Sequence, residues 1–304
     1  PVSRGAPKRI TSRPRIDEPA TWTNDGKHIV FRSGRSAVSR YRQLFRIPAE
    51  GGAEEKLPFD MAVAGSFSAD GAQFAYMPIG FFRPPHSYDA WKNYRGGRTT
   101  KIWIGRMSDS AVTEIPRQNS NDSDPLWIGN EVYFLSDREG PVTLFAYDTT
   151  AKRVRRVLEN TGLDYKSASA APGAIVLEKF GGVQIYDLKS KKLTDVPITV
   201  SGDIAGVRPR WEKAAGALRS AAISPSGKRV VFEARGEIVT VPAEKGDVRV
   251  LSKSPGAHDR SPAWSPDGQH IAWFTDEGGE YALVIRDQEG KGEKRTIRMA
   301  DKPG

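Results

Sequence analysis

A hairpin phrase that recurs along the chain constrains its fold more than any other feature. Its clearest copy is Ser261-Pro262-Ala263-Trp264-Ser265-Pro266-Asp267-Gly268-Gln269-His270-Ile271-Ala272-Trp273-Phe274. Ala263-Trp264 closes one apolar run, Pro266-Asp267-Gly268 is turn chemistry, and Ile271-Ala272-Trp273-Phe274 opens a second run. Proline presets φ at the first turn position, and glycine supplies the positive φ that closes the hairpin. Related phrases stand at residues 19–31, 65–76, 124–134 and 222–232, with a weaker copy at 167–178.

Further short apolar strands follow each copy, such as Leu44-Phe45-Arg46-Ile47 and Tyr281-Ala282-Leu283-Val284-Ile285. The chain therefore reads as six repeats of about 40–60 residues, each of four short strands, the length and strand count of a propeller blade. Stacking such sheets around an axis covers both faces of each and leaves short edges. A sandwich accounts for the strands but not for the repeated phrase. The expected fold is all-β, a β-propeller of six four-stranded blade repeats, either parts of two propellers or one six-bladed ring. Pro7-Lys8-Arg9-Ile10-Thr11 reads as an additional edge strand.

Two stretches break the period. One is an insert over residues 77–98 with Phe81-Phe82, His86, Tyr88, Trp91, Tyr94 and Arg95-Gly96-Gly97-Arg98. The other, at 197–217, is longer and less regular than a turn between blades, and it sets the expected domain organisation. Residues 1–203 form four blades of a first propeller, 204–216 a linker, and 217–304 two blades of a second. A long surface loop is the simpler account of that stretch.

The 304 residues contain no cysteine, which removes disulfides, thiolate metal sites and a cysteine nucleophile. The net charge is +9. The basic residues are spread over the repeats among acidic ones, an arrangement that argues against a nucleic-acid partner and suits acidic or carboxylate-bearing ligands. No apolar run approaches the ~18–20 residues that span a bilayer as a helix, so no membrane partner is expected. The chain begins at Pro1 without an initiator methionine or an apolar leader, and it is expected to be a piece of a longer protein.

The phrase Pro-Ala-Trp-Ser-Pro-Asp-Gly resembles the WD40-like repeats of TolB. The run Trp91-Lys92-Asn93-Tyr94-Arg95-Gly96-Gly97-Arg98-Thr99-Thr100-Lys101-Ile102-Trp103-Ile104 resembles tricorn protease and its bacterial homologues more specifically. Tyr133-Phe134-Leu135-Ser136-Asp137-Arg138-Glu139-Gly140 and residues 227–238 are similar to the same family. The resemblance implies a serine protease in which a six-bladed and a seven-bladed propeller precede the catalytic domains. The four leading repeats would be later blades of the first propeller, and the last two would open the second. It further implies peptide substrates, further domains of the same parent chain as partners, and a cytoplasmic location, with a periplasmic one and a homo-oligomer left open.

A hydrolase needs a nucleophile with a base in reach. His28 and His270 occupy one repeat position beside the turn, His258 lies between blades, and His86 lies in the insert. There is no Gly-x-Ser-x-Gly elbow and no histidine pair at metal spacing, so no catalytic residue, metal or cofactor is expected within the chain. Asp25, Asp70 and Asp267 read as turn residues. The insert is too aromatic for a solvated linker, so it should pack over a neighbour or bind a ligand. Arg95 and Arg98, flanked by Trp91 and Tyr94, offer forked donors to a peptide carboxylate; a staple between two blades is the alternative. The resemblance implies an arginine pair anchoring the substrate carboxylate, and Arg13 and Arg15 lie nearest the corresponding stretch. Together these readings give a non-catalytic propeller segment that scaffolds and gates peptide access to a peptidase domain outside the chain. The alternative is a free-standing TolB-like interaction propeller.

Overall fold

The computed structural model describes residues 8–12, 16–36, 41–79, 94–179, 181–202, 206, 208, 210 and 212–299. Among them are six sheets, each a four-stranded antiparallel meander in chain order. The first comprises β1 (Asp17–Trp22), β2 (His28–Ser33), β3 (Gln43–Pro48) and β4 (Glu55–Lys56). The second comprises β5 (Ala64–Phe67), β6 (Gln73–Met77), β7 (Trp103–Arg106) and β8 (Val112–Glu114). The third holds β9 (Asp122–Ile128), β10 (Glu131–Ser136), β11 (Thr143–Asp148) and β12 (Arg153–Arg156). The fourth holds β13 (Ser167–Ala171), β14 (Ala174–Lys179), β15 (Gly182–Asp187) and β16 (Leu193–Val196).

The chain divides into two compact units, Pro1–Thr199 and Val200–Gly304. The second unit carries β17 (Leu218–Ile223), β18 (Arg229–Ala234), β19 (Glu237–Pro242) and β20 (Arg249–Val250). Its other sheet is β21 (Arg260–Trp264), β22 (His270–Thr275), β23 (Ala282–Asp287) and β24 (Arg295–Arg298). In the first unit the leading strands of successive sheets are neighbours, β1 with β5, β5 with β9 and β9 with β13. In the second unit β17 and β21 are neighbours. Leading strands side by side, with each meander running away from them, is the blade arrangement of a β-propeller.

The turn chemistry repeats atom for atom. Thr23 Oγ1 donates to Asp25 Oδ1 at 2.6 Å, Lys27 N donates to the same oxygen at 3.0 Å, and His28 N donates to Thr23 Oγ1 at 3.1 Å. Ser68 and Asp70 repeat the pattern in the second sheet, and Ser265 and Asp267 repeat it in the sixth. The hydroxyl and backbone N–H donors hold all three carboxyls below the usual range. Asp at this position bonds its own turn, and the following Gly26, Gly71 and Gly268 take φ of 66°, 71° and 71°.

Alternation along a strand sends side chains to opposite seams. On β10, Val132 and Phe134 join Ala75, Met77, Ile102 and Ile104 of the second sheet, while Tyr133 and Leu135 join Ile175 and Leu177 of the fourth. Each large side chain buried this way contributes about 1.5–3 kcal/mol, so the seams hold the blades together. In the second unit Val231, Ile238 and Leu251 close on Ile271, Trp273 and Val284.

One expected element is absent. Residues 8–12 form no strand; Ile10 packs on Phe31, Phe45 and Ile47, and Lys8 Nζ donates to Glu50 O at 2.5 Å. The apolar residue in that run is used for packing without a backbone ladder.

Candidate functional site

The insert leaves β6 and returns to β7, and residues 80–93 lie outside the described residues, as do Arg13 and Arg15. The expectations for Trp91, His86, Arg13 and Arg15 therefore fall there. Tyr94, Arg95 and Arg98 are described, and the structure brings them together where the insert rejoins the sheet. Thr99 N donates to Gly96 O at 3.2 Å, closing a turn over Arg98, and the Tyr94 ring lies across Gly96.

Arg95 is committed to the third blade. Its Nη1 donates to Asp137 Oδ2 at 2.6 Å, and Asp137 is 5% exposed. Asn121 Nδ2 donates to Tyr94 O and to Asp137 Oδ2, each at 2.9 Å, while Asn121 N donates to Asp137 Oδ1 at 2.8 Å. Asn119 Nδ2 donates to Arg95 O at 2.9 Å. A charge-assisted bond to a buried carboxylate with both oxygens occupied staples the insert to Asp137 in the β10–β11 connection, and Asn119 and Asn121 add the β8–β9 connection to the same staple. Reading the chain found the arginine but not its partners. The one signal lies in Asn119-Ser120-Asn121, a run of short amide and hydroxyl side chains that commonly bond to nearby backbone.

Beside this staple stands an arginine platform that occurs twice. Arg138 Cζ lies 5.0 Å from the Phe134 ring centroid and 5.2 Å from that of Phe145. Arg35 Cζ lies 4.9 Å and 5.2 Å from Phe31 and Phe45. Each guanidinium bonds the serine two residues back, Ser136 at 3.1 Å or Ser33 at 3.2 Å, and reaches an aspartate at the start of its sheet, Asp122 or Asp17. Phe-x-Ser-x-Arg in 31–35 and 134–138 encodes the motif. The two aspartates differ in environment. Burial pushes Asp17 up, but Arg35 and neighbouring hydroxyls outweigh it and hold the carboxyl below its ordinary range. Burial wins at Asp122, which is raised despite Arg138, Ser136 and Ser120.

The three histidines among the described residues are dispersed. His28 and His270 begin β2 and β22 beside the hairpin turns, and His258 N donates to Asp276 Oδ1 at 2.6 Å while its Nδ1 lies 3.5 Å from Tyr281 Oη. Among the described residues no group of three or more His, Cys, Asp or Glu is placed to hold a metal ion.

Sheets of this order with a stapled insert between the second and third strands of one blade define a β-propeller protein. A family model described as the tricorn protease N-terminal beta propeller domain matches residues 1–192, and the chain belongs to that family. It is 26% identical over 305 residues to tricorn protease homolog 1 of Streptomyces coelicolor, covering 98% of this chain and 28% of that relative. It is 25% identical to the tricorn protease homolog of Saccharolobus solfataricus, covering 95% of this chain and 26% of the relative. The chain thus spans about a quarter of the length of these curated relatives. Among solved structures, a crystal structure of the tricorn protease aligns at 16% identity and a TM-score of 0.40, covering 94% of this chain and 41% of the other. TolB from Acinetobacter baumannii aligns at 16% identity and 0.42, covering 91% and 65%.

Proposed function

We propose that this chain is the propeller segment of a tricorn-like serine protease and that it scaffolds and gates peptide access to a peptidase domain of the same parent protein. The observation that carries the reading is the match of residues 1–192 to the tricorn N-terminal propeller family in a chain spanning about a quarter of its curated relatives. In this reading the unit Pro1–Thr199 belongs to one propeller and the sheets of Val200–Gly304 open a second. Peptide contact is assigned to the insert, through Arg98 and the aromatic side chains Trp91 and Tyr94, with Arg13 and Arg15 as further cations. Arg95 serves this contact indirectly, by fixing the base of the insert to Asp137.

The test uses the full-length protein and two peptide series, one of short and one of long substrates. Arg95→Ala and Asp137→Asn are expected to change the ratio of kcat/KM for long against short peptides while leaving the short-peptide rate within about twofold. Arg98→Ala is expected to raise KM for peptides with a free C-terminal carboxylate and to leave amidated ones unchanged. An unaltered length ratio and unaltered KM in all three variants would remove the gating role.

A further inference from the structure

The seam between the second and third sheets contains a crevice of ≈ 140 Å³ at the end where the β7–β8 and β11–β12 turns lie. Its floor is Ile104 and the ring of Tyr147, both members of one buried cluster. Its walls include Gln73, Arg106 and Thr113 from the second sheet and Lys152 from the third. Tyr147 is 2% exposed, yet its hydroxyl has no hydrogen-bond partner among the described residues. The hydroxyl is not enclosed by protein, so it faces the crevice as an open donor. Gln73, Thr113 and Lys152 are exposed at the rim, and their side chains make no hydrogen bond or ion pair among the described residues.

Charge around the crevice is set by the two turns. The β11–β12 turn starts at Asp148, whose Oδ1 accepts from Thr150 N and Ala151 N, each at 2.8 Å. The β15–β16 turn repeats this with Asp187, and Lys152 and Lys191 take the same positive-φ position, φ 56° and 59°. The β7–β8 turn departs: Arg106 stands where the other two have aspartate, since Ser110 N bonds Arg106 O as Lys152 N bonds Asp148 O. Asp109 bonds Ala111 N at 3.1 Å and Arg106 Nη1 at 2.7 Å, leaving the rest of that guanidinium uncommitted. Burial, with the Asp148 carboxylate adding to it, pushes the Tyr147 hydroxyl up, so it remains a donor at neutral pH. Unspent donors from two blades thus line an apolar floor, with both oxygens of Asp109 and one of Asp148 held by their own turns.

We propose that this seam binds a small oxyanion, a phosphate or a carboxylate group, held by Arg106, Lys152 and the Tyr147 hydroxyl. A hydrogen bond to a charged group contributes enough that removing one donor lowers affinity about tenfold. The experiment is calorimetric titration of the full-length protein with inorganic phosphate and, separately, with acetate. Saturable binding of either is expected, and the stronger of the two identifies the source chemistry. Tyr147→Phe, which keeps the buried ring, and Lys152→Ala should each weaken binding about tenfold, whereas Lys191→Ala at the equivalent turn of the fourth sheet should not. Three results would overturn the proposal: saturable binding of neither anion, wild-type affinity in both variants, or equal weakening by Lys191→Ala.

Discussion

Arg138 Nη2 donates to Asp122 Oδ2 at 2.9 Å, and the two residues meet at the open end of the third sheet's first hairpin. Asp122 is fully buried, and the arginine that meets it is itself spread over two phenylalanine rings. Ser120 and Ser136 donate to the other oxygen at 3.0 and 2.6 Å. The pair ties the entry of β9 to the exit of β10, at the end of the blade where the insert is stapled through the adjacent Asp137.

Breaking a buried pair by removing one partner is expected to cost about 3–5 kcal/mol, because a desolvated charge is left behind. Arg138→Ala should therefore destabilise the first unit by about that amount in urea unfolding. The double variant with Asp122→Ala should be less destabilised than the sum of the two single changes. Additive losses would mean that the carboxylate is not relying on Arg138.

The same platform measures how much the chain disclosed. Phe-x-Ser-x-Arg appears in the sequence at 31–35 and 134–138, and the hairpin phrases mark each blade, because turns and alternation are local and write themselves into short spacings. The blades and their order were legible for that reason. The staple was not. Arg95 and Asp137 are 42 residues apart, and Asn119 and Asn121 reach the insert through backbone carbonyls that carry no side-chain signature. Nor does pattern distinguish Asp17 from Asp122, which share a motif position but sit in environments that shift their carboxyls in opposite directions.

Gly105 lies on β7, paired with Phe74, where a Cβ would stand 2.3 Å from Phe59 Cε1. Phe59 cannot yield freely, since it is 3% exposed and stacks on Tyr76 at 4.6 Å and on Phe74 at 6.0 Å. Gly105→Ala should cost about 1–3 kcal/mol, the range for overpacking a well-filled core. Thermal unfolding checks this. An unchanged midpoint would mean the aromatic stack has room that the ring positions do not suggest.

In the second unit, Asp259 is 1% exposed and accepts from Trp273 Nε1 at 2.9 Å and from Ser254 Oγ at 2.5 Å. Asp259→Ala would leave the indole N–H buried without a partner, at a cost of about 1–3 kcal/mol. Asp259→Asn retains an acceptor and should lose less. Because these residues belong to one unit, the loss should appear in the unfolding of that unit. Equal losses for the alanine and asparagine variants would show that the indole bond is not what the carboxylate supplies.

Asp124 sets the pH dependence expected of the first unit. It has φ of 49° immediately before Pro125, where β9 and β10 shift register, and its Oδ2 is buried without a partner. Burial pushes its carboxyl up to about 7, against the opposing pull of the Ala168 N–H and Ser123. An unfolded chain ionises this group near its ordinary 3.8, so between about 4 and 7 the folded state holds a proton that the unfolded state has lost. Stability falls as pH rises wherever the folded state binds more protons. The destabilisation therefore grows through that window and levels off above about 7, where both states are ionised. Asp124→Asn removes this titration, so its thermal midpoint should exceed that of the parent protein by an amount that widens from pH 4 to pH 7. A gap that stays constant across the window, or narrows, would show that the orphaned oxygen does not carry the proton.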